Sequence, residues 1–117
     1  MGMSSRMFIH TKVFDRQWAL LGCDDDDLQD AQKAICADPQ AHPIIRGTGG
    51  IRKMRIALSN RGKRGGARVL YIDFIEHETI GLLYAYAKNE KEDINAEERK
   101  LLKAMVEQLD EIWRKRS

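Results

Sequence analysis

Arg68-Val69-Leu70-Tyr71-Ile72-Asp73-Phe74-Ile75, Glu76-His77-Glu78, Thr79-Ile80-Gly81-Leu82-Leu83-Tyr84-Ala85-Tyr86 is the stretch that decides the fold. Both flanking runs are rich in β-branched and aromatic residues, which suit a pleated, half-buried surface. Three polar residues between them leave room only for a tight reversal, so the runs predict an antiparallel hairpin. Upstream, residues 51–58 alternate with period two. Met54, Ile56 and Leu58 share one face, and Lys53, Arg55 and Ala57 the other. Arg52 falls on the apolar face near the start of this strand, an edge effect. Residues 7–11 read as a short first strand.

The remaining segments follow a helical period. A helix is expected over 14–21, with Trp18 and Leu21 as core anchors. After an acidic turn at 23–27, a second helix runs to about residue 37 with Leu28, Ala31 and Ile35 as its apolar stripe. The aspartates of that turn suit the positive end of a helix, and Asp38-Pro39 ends it. Asn95-Ala96-Glu97-Glu98 has the form of an N-cap followed three residues later by a glutamate. The closing helix then extends to about residue 115. Residues 40–50 and 59–66 are loops, both rich in glycine. The order β-α-α-β-β-β-α predicts an α+β domain in which a small antiparallel sheet packs against helices.

A chain of 117 residues is enough for one domain, here residues 7–117 behind a flexible leader at 1–6. Composition is that of an ordinary globular chain, and the longest apolar run, residues 80–87, is far too short to cross a bilayer. No membrane partner is therefore expected, and the cytoplasm is the expected location. Cys23 and Cys36 are too few for a disulfide framework and read as free thiols. No pattern of His, Cys or carboxylates predicts a metal site or cofactor. Asp24, Asp25, Asp26 and Asp27 read as a helix cap and solvated turn rather than a cation site.

The net charge of +2 hides a strong asymmetry. Residues 39–72 contain no Asp or Glu, yet carry Arg46, Arg52, Lys53, Arg55, Arg61, Lys63, Arg64 and Arg68, a block of +8. The rest of the chain sums to −6. A single-sign block of this density points to a polyanion, with a solvated basic loop as the alternative.

Three motifs within this frame resemble a known family. They are Gly47-Thr48-Gly49-Gly50-Ile51-Arg52-Lys53-Met54-Arg55-Ile56-Ala57, then Gly62-Lys63-Arg64-Gly65-Gly66-Ala67-Arg68-Val69-Leu70-Tyr71, then Tyr86-Ala87-Lys88-Asn89-Glu90. Together they resemble HigB-type toxins of the RelE/ParE superfamily. The resemblance implies a compact RelE-like fold of the microbial ribonuclease type. It implies a toxin of a type II toxin–antitoxin module that cleaves mRNA on the ribosome. It also implies a HigA-type antitoxin with a helix-turn-helix, assembled with the toxin as a heterotetramer. The ParE branch of the same fold poisons DNA gyrase, so fold alone leaves that alternative open.

Metal-free RNA cleavage needs a base for the 2′-hydroxyl, an acid for the leaving oxygen and cations for the phosphorane. Lys53 and Arg55, two apart on one strand, present their heads to the same side. Crowding by other cations favours a neutral lysine, so Lys53 is the candidate base or electrostatic partner. By resemblance, Lys53 and Arg55 match the family's two basic central-strand positions. Arg68 matches the arginine that opens the next strand, its planar fork suited to the scissile phosphate. Lys88 matches a further basic position beside the same cleft. Arg46, Arg52, Arg61, Lys63, Arg64 and Asn89 are read as RNA- or ribosome-binding.

Where RelE proper has an arginine after the Lys88 position and then a base-stacking tyrosine, this chain has Asn89 and Ile94 or Asn95. That leaves the general acid unassigned. Tyr71, Tyr84 and Tyr86 read either as base-stacking residues or as half-buried sheet aromatics. Of the histidines, His77 is placed in a turn and His10 in packing, which leaves His42, in a basic-flanked loop, as the one to test. A non-catalytic basic module that docks nucleic acid or a protein is the remaining alternative.

Overall fold

The computed structural model describes residues 6–58 and 66–116. Its elements run β1 (Met7–His10), α1 (Lys12–Leu20), α2 (Asp25–Ala37), β2 (Arg52–Ala57), β3 (Gly66–Phe74), β4 (Thr79–Ala87) and α3 (Ala96–Arg116). The α+β class and the element order are those expected. The basic loop with Arg61, Lys63 and Arg64 lies outside the described residues.

The four strands form one sheet in the order β1-β4-β3-β2. The β3–β4 hairpin is its centre and turns through a short 3-10 segment, Ile75–His77, closed by Glu78 in the left-handed region at φ 49°. One pairing differs from an all-antiparallel sheet, since β1 runs parallel to β4. Parallel neighbours need a long crossover, and α1, α2, β2 and β3 together provide it.

Both faces of the sheet are covered. One packs on α1 and α2 through Phe14, Trp18, Ile35, Met54, Val69, Tyr71 and Leu82, the other on α3 through Leu70, Phe74, Leu83, Tyr86, Leu102 and Val106. This explains why β3 and β4 read as nearly continuous apolar runs. A bulge in β4 adds to the effect. Leu70 pairs with Tyr84 but Tyr71 with Leu82, so Leu83 is the extra residue, and both Leu83 and Tyr84 join the α3 side. The Leu83 carbonyl accepts a hydrogen bond from the Thr11 hydroxyl at 3.0 Å.

The helix starts follow local chemistry. Thr11 caps α1 by accepting from the Phe14 amide. Asp24 and Asp27 exchange reciprocal bonds of 2.9 Å at the start of α2. Asn95 and Glu98 do the same at 2.8 Å for α3. Among the described residues, no helix is long and apolar enough to cross a membrane.

Candidate active site

The site begins with the turn Gly47-Thr48-Gly49-Gly50. Its three glycines have φ of 80°, 79° and 110°, values that side chains rarely tolerate. The buried Thr48 hydroxyl donates to the Ile45 carbonyl at 2.6 Å and accepts from the Ile51 amide at 3.1 Å. The chain thereby folds back along the outer edge of β2. Ile45 donates to the Ile51 carbonyl at 2.7 Å, and Lys53 to the Pro43 carbonyl at 2.9 Å. An edge strand otherwise open to solvent gains a raised wall at residues 43–46.

Between that wall, β2 and the start of α3 lies a cleft of about 610 Å³, lined by residues that include His42, Arg46, Lys53, Arg55, Asp93 and Arg99. Lys53 and Arg55 open onto it together, as their spacing requires. Register then places Arg68 opposite Arg55, and Tyr86 opposite Arg68, so one row crosses three strands. Arg68 is only 4% exposed, and one guanidinium nitrogen donates to the Ala67 carbonyl. It forms charge behind the cleft surface rather than an open hand. Two arginines face to face repel. Asp93 tempers the local field, its carboxyl held below the ordinary value by the Lys53 hydrogen bond first and by the charges of Lys53, Arg68 and Arg99.

Lys53 itself differs from the cation-crowded base expected of it. Its ammonium donates to the Asp93 carboxylate at 2.5 Å. Local pattern gives no sign of Asp93, which lies 40 positions away in the loop before α3. Arg99 was missed for the same reason.

At the β4 end of the row, Tyr86 is buried. Its hydroxyl donates to the Glu92 carbonyl at 3.3 Å, and burial first, then the Asp93 charge, pushes its ionisation up. The Tyr84 hydroxyl donates to Glu98, which also ion-pairs with Lys91. The Lys91 ammonium stands 5.4 Å from the centres of both rings. Burial opposes the charge on Lys91, but the Glu98 hydrogen bond together with the contacts to Tyr84 and the Glu98 charge outweighs it, and the net shift is upward. This cluster fixes the loop that carries Asp93.

Other sequence candidates stand elsewhere. Arg52 is directed away from the cleft, its guanidinium donating to the carbonyls of Gln40 at 3.0 Å and His42 at 2.7 Å. It braces the loop, which gives its place on the apolar face a structural role in place of an edge effect. Tyr71 is buried on the α1–α2 side, donating to the Pro39 carbonyl at 2.6 Å, so it is a core aromatic. Lys88 and Asn89 are exposed at the end of β4, where the Lys88 amide donates to the Gly66 carbonyl; they do not line the cleft. His42 does line it, whereas His10 bonds Asp15 and His77 stacks on Trp113 at 4.4 Å. Among the described residues, no three His, Cys, Asp or Glu side chains are grouped to hold a metal.

These features define a small α+β protein with a cationic cleft at a sheet edge, suited to a phosphate backbone. The family model for "RelE toxin of RelE / RelB toxin-antitoxin system" matches residues 5–116. The chain belongs to this family of toxins. Among solved structures, it is similar to the E. coli toxin RelE in the free state, in a form with two arginines replaced by alanine. The TM-score is 0.55 at 14% sequence identity, covering 75% of this chain and 88% of that one, which bears on the fold alone.

Proposed function

We propose that the chain is a HigB-type toxin that cleaves messenger RNA on the ribosome and so halts translation. The observation that carries this reading is the convergence of Lys53, Arg55 and Arg46 on one cleft, with Arg68 behind it. RNA brings its own nucleophile, so the enzyme's work is to orient the 2′-hydroxyl and neutralise the developing phosphorane. Lys53, drawn from Asp93 to the phosphate, would serve as electrostatic partner or base. Arg55 and Arg68 supply charge to the transition state, and Lys88 approaches from the end of β4. Arg46, Arg61, Lys63, Arg64 and Asn89 would hold RNA or ribosome. The same reading includes one domain over residues 7–117 behind the leader, action in the cytoplasm, and restraint by a HigA-type helix-turn-helix antitoxin in a heterotetramer.

The test is a cell-free translation extract given the purified chain. Messages should be cut, and Lys53→Met should slow cutting by about a hundredfold, the scale of losing one acid–base or charge-stabilising group. Intact messages with translation proceeding normally would refute the proposal. Inhibition of supercoiling by purified gyrase would favour the ParE alternative instead.

A further inference from the structure

The cleft does not end at Arg99. A second concavity of about 540 Å³ adjoins it on the far side of that residue, lined by Gly47, Ala96, Glu97, Arg99, Lys100 and Lys103. Arg99 is the lining residue common to both. The charged side chains along the two are Arg46, Lys53, Arg55, Arg99, Lys100 and Lys103 against Asp93 and Glu97, a balance of +4.

Several observations set these α3 cations apart from ordinary surface charge. The Arg99 Nε is buried and, among the described residues, has no hydrogen-bond partner. A buried donor left unmade is costly unless something else satisfies it. Arg99 and Lys100 also lie in the first turns of α3, near its positive end, where a cation is disfavoured. Helix stability therefore does not account for them. The wall opposite is shaped to receive them. A β-carbon at Gly47 would stand 3.4 Å from Arg99 Cδ, so the turn, whose φ of 80° favours glycine there, packs directly against the guanidinium stem. Lys103 is one turn beyond Arg99 on the same side of the helix.

We propose that Arg99, Lys100 and Lys103 form a second phosphate-binding trough, which carries the RNA backbone beyond the segment held at Lys53 and Arg55. The ligand is the phosphodiester chain of RNA, supplied either by the message flanking the cut or by the ribosome. The trough rests on the nuclease reading and extends it: cutting happens in the first concavity, and the second grips the strand without touching the reacting atoms.

The experiment measures single-turnover cleavage on programmed ribosomes against toxin concentration, over a series of salt concentrations. Binding to ribosomes with and without message is measured alongside. Wild type is compared with Arg99→Gln, the exposed pair Lys100→Gln/Lys103→Gln, and Arg16→Gln on α1 as a control. The Lys100/Lys103 variant should raise the half-saturating concentration about tenfold or more while the rate at saturation changes little; Arg99→Gln, whose residue also lines the first cleft, should weaken binding at least as much. The slope of log affinity on log salt should shrink by about one for each lost phosphate contact, which a purely structural role would not produce. Thermal melting identifies a variant that fails through unfolding, and the Lys100/Lys103 pair, being exposed, keeps the test decisive. Weakening only with message present assigns the trough to the message; weakening on empty ribosomes as well assigns it to ribosomal RNA. Wild-type affinity and salt slope in both trough variants would overturn the inference while leaving the nuclease intact. Failure of the wild type to cut would instead remove the nuclease reading on which it rests.

Discussion

The ammonium of Lys53 on β2 donates to the carboxylate of Asp93, 40 residues further along the chain, at 2.5 Å. The Lys53 side chain is 19% exposed and that of Asp93 68%, so the anion is the outer partner of the pair. A phosphate arriving at Lys53 meets a site already occupied by an oxyanion of the protein's own. Under the proposed nuclease reading, RNA would enter as Asp93 swings aside, which its exposure permits.

The titration of Asp93 follows from this contact. Its carboxyl is held below the ordinary value of 3.8 by Lys53. A lowered folded value means that the pair is intact above about 3.8 and is lost only as pH falls through the folded value. Carbon-detected NMR should place the Asp93 midpoint below 3.8, and Lys53→Met should return it toward 3.8. A midpoint above 3.8 in the unsubstituted protein would show that the ion pair does not form in solution.

Arg52 is expected to matter for stability. Its two bonds to backbone carbonyls tie residues 40–42 to β2, and charged donors of this kind are worth about 1.5–3 kcal/mol each in favourable settings. Because Arg52 is half-buried, Arg52→Ala should cost about 1–2 kcal/mol in urea unfolding. Unchanged unfolding would mean that the loop holds itself.

Tyr71 offers a second pH signature. Burial first, opposed by the Arg52 charge, pushes its ionisation to about 12. A raised tyrosine value favours the neutral phenol in the fold, so the stabilisation is complete below about 10 and is lost as pH rises from about 10 toward 12. Ultraviolet titration should show a late component near pH 12 that is lost in Tyr71→Phe, while the raised ionisation of Tyr86 remains. The phenylalanine variant should be about 1 kcal/mol less stable at neutral pH, since the Pro39 carbonyl loses its partner.

The cap of α3 can be tested by itself. Asn95→Ala removes the side chain that accepts from the Glu98 amide, and should lower stability by about 1 kcal/mol. Glu98 also pairs with Lys91, so Glu98→Ala should cost more than Asn95→Ala in the same unfolding measurement. Equal losses would indicate that the Lys91 pair contributes nothing.

The sequence by itself determined the element order, the caps at Asp24 and Asn95, and the shared face of Lys53 and Arg55. Each rests on a period, a short-range bond or a spacing that residues a few positions apart already contain. It also determined that positive charge gathers in residues 39–72. Tertiary structure alone decided the parallel seat of β1 against β4, the Leu83 bulge, the inward brace of Arg52, and the arrival of Asp93 and Arg99 in the cleft. These depend on contacts between segments tens of residues apart, where local pattern is silent. Arg52 shows the difference: its alternation placed it on the apolar face, and only the fold brought two carbonyls of the preceding loop within reach of its guanidinium.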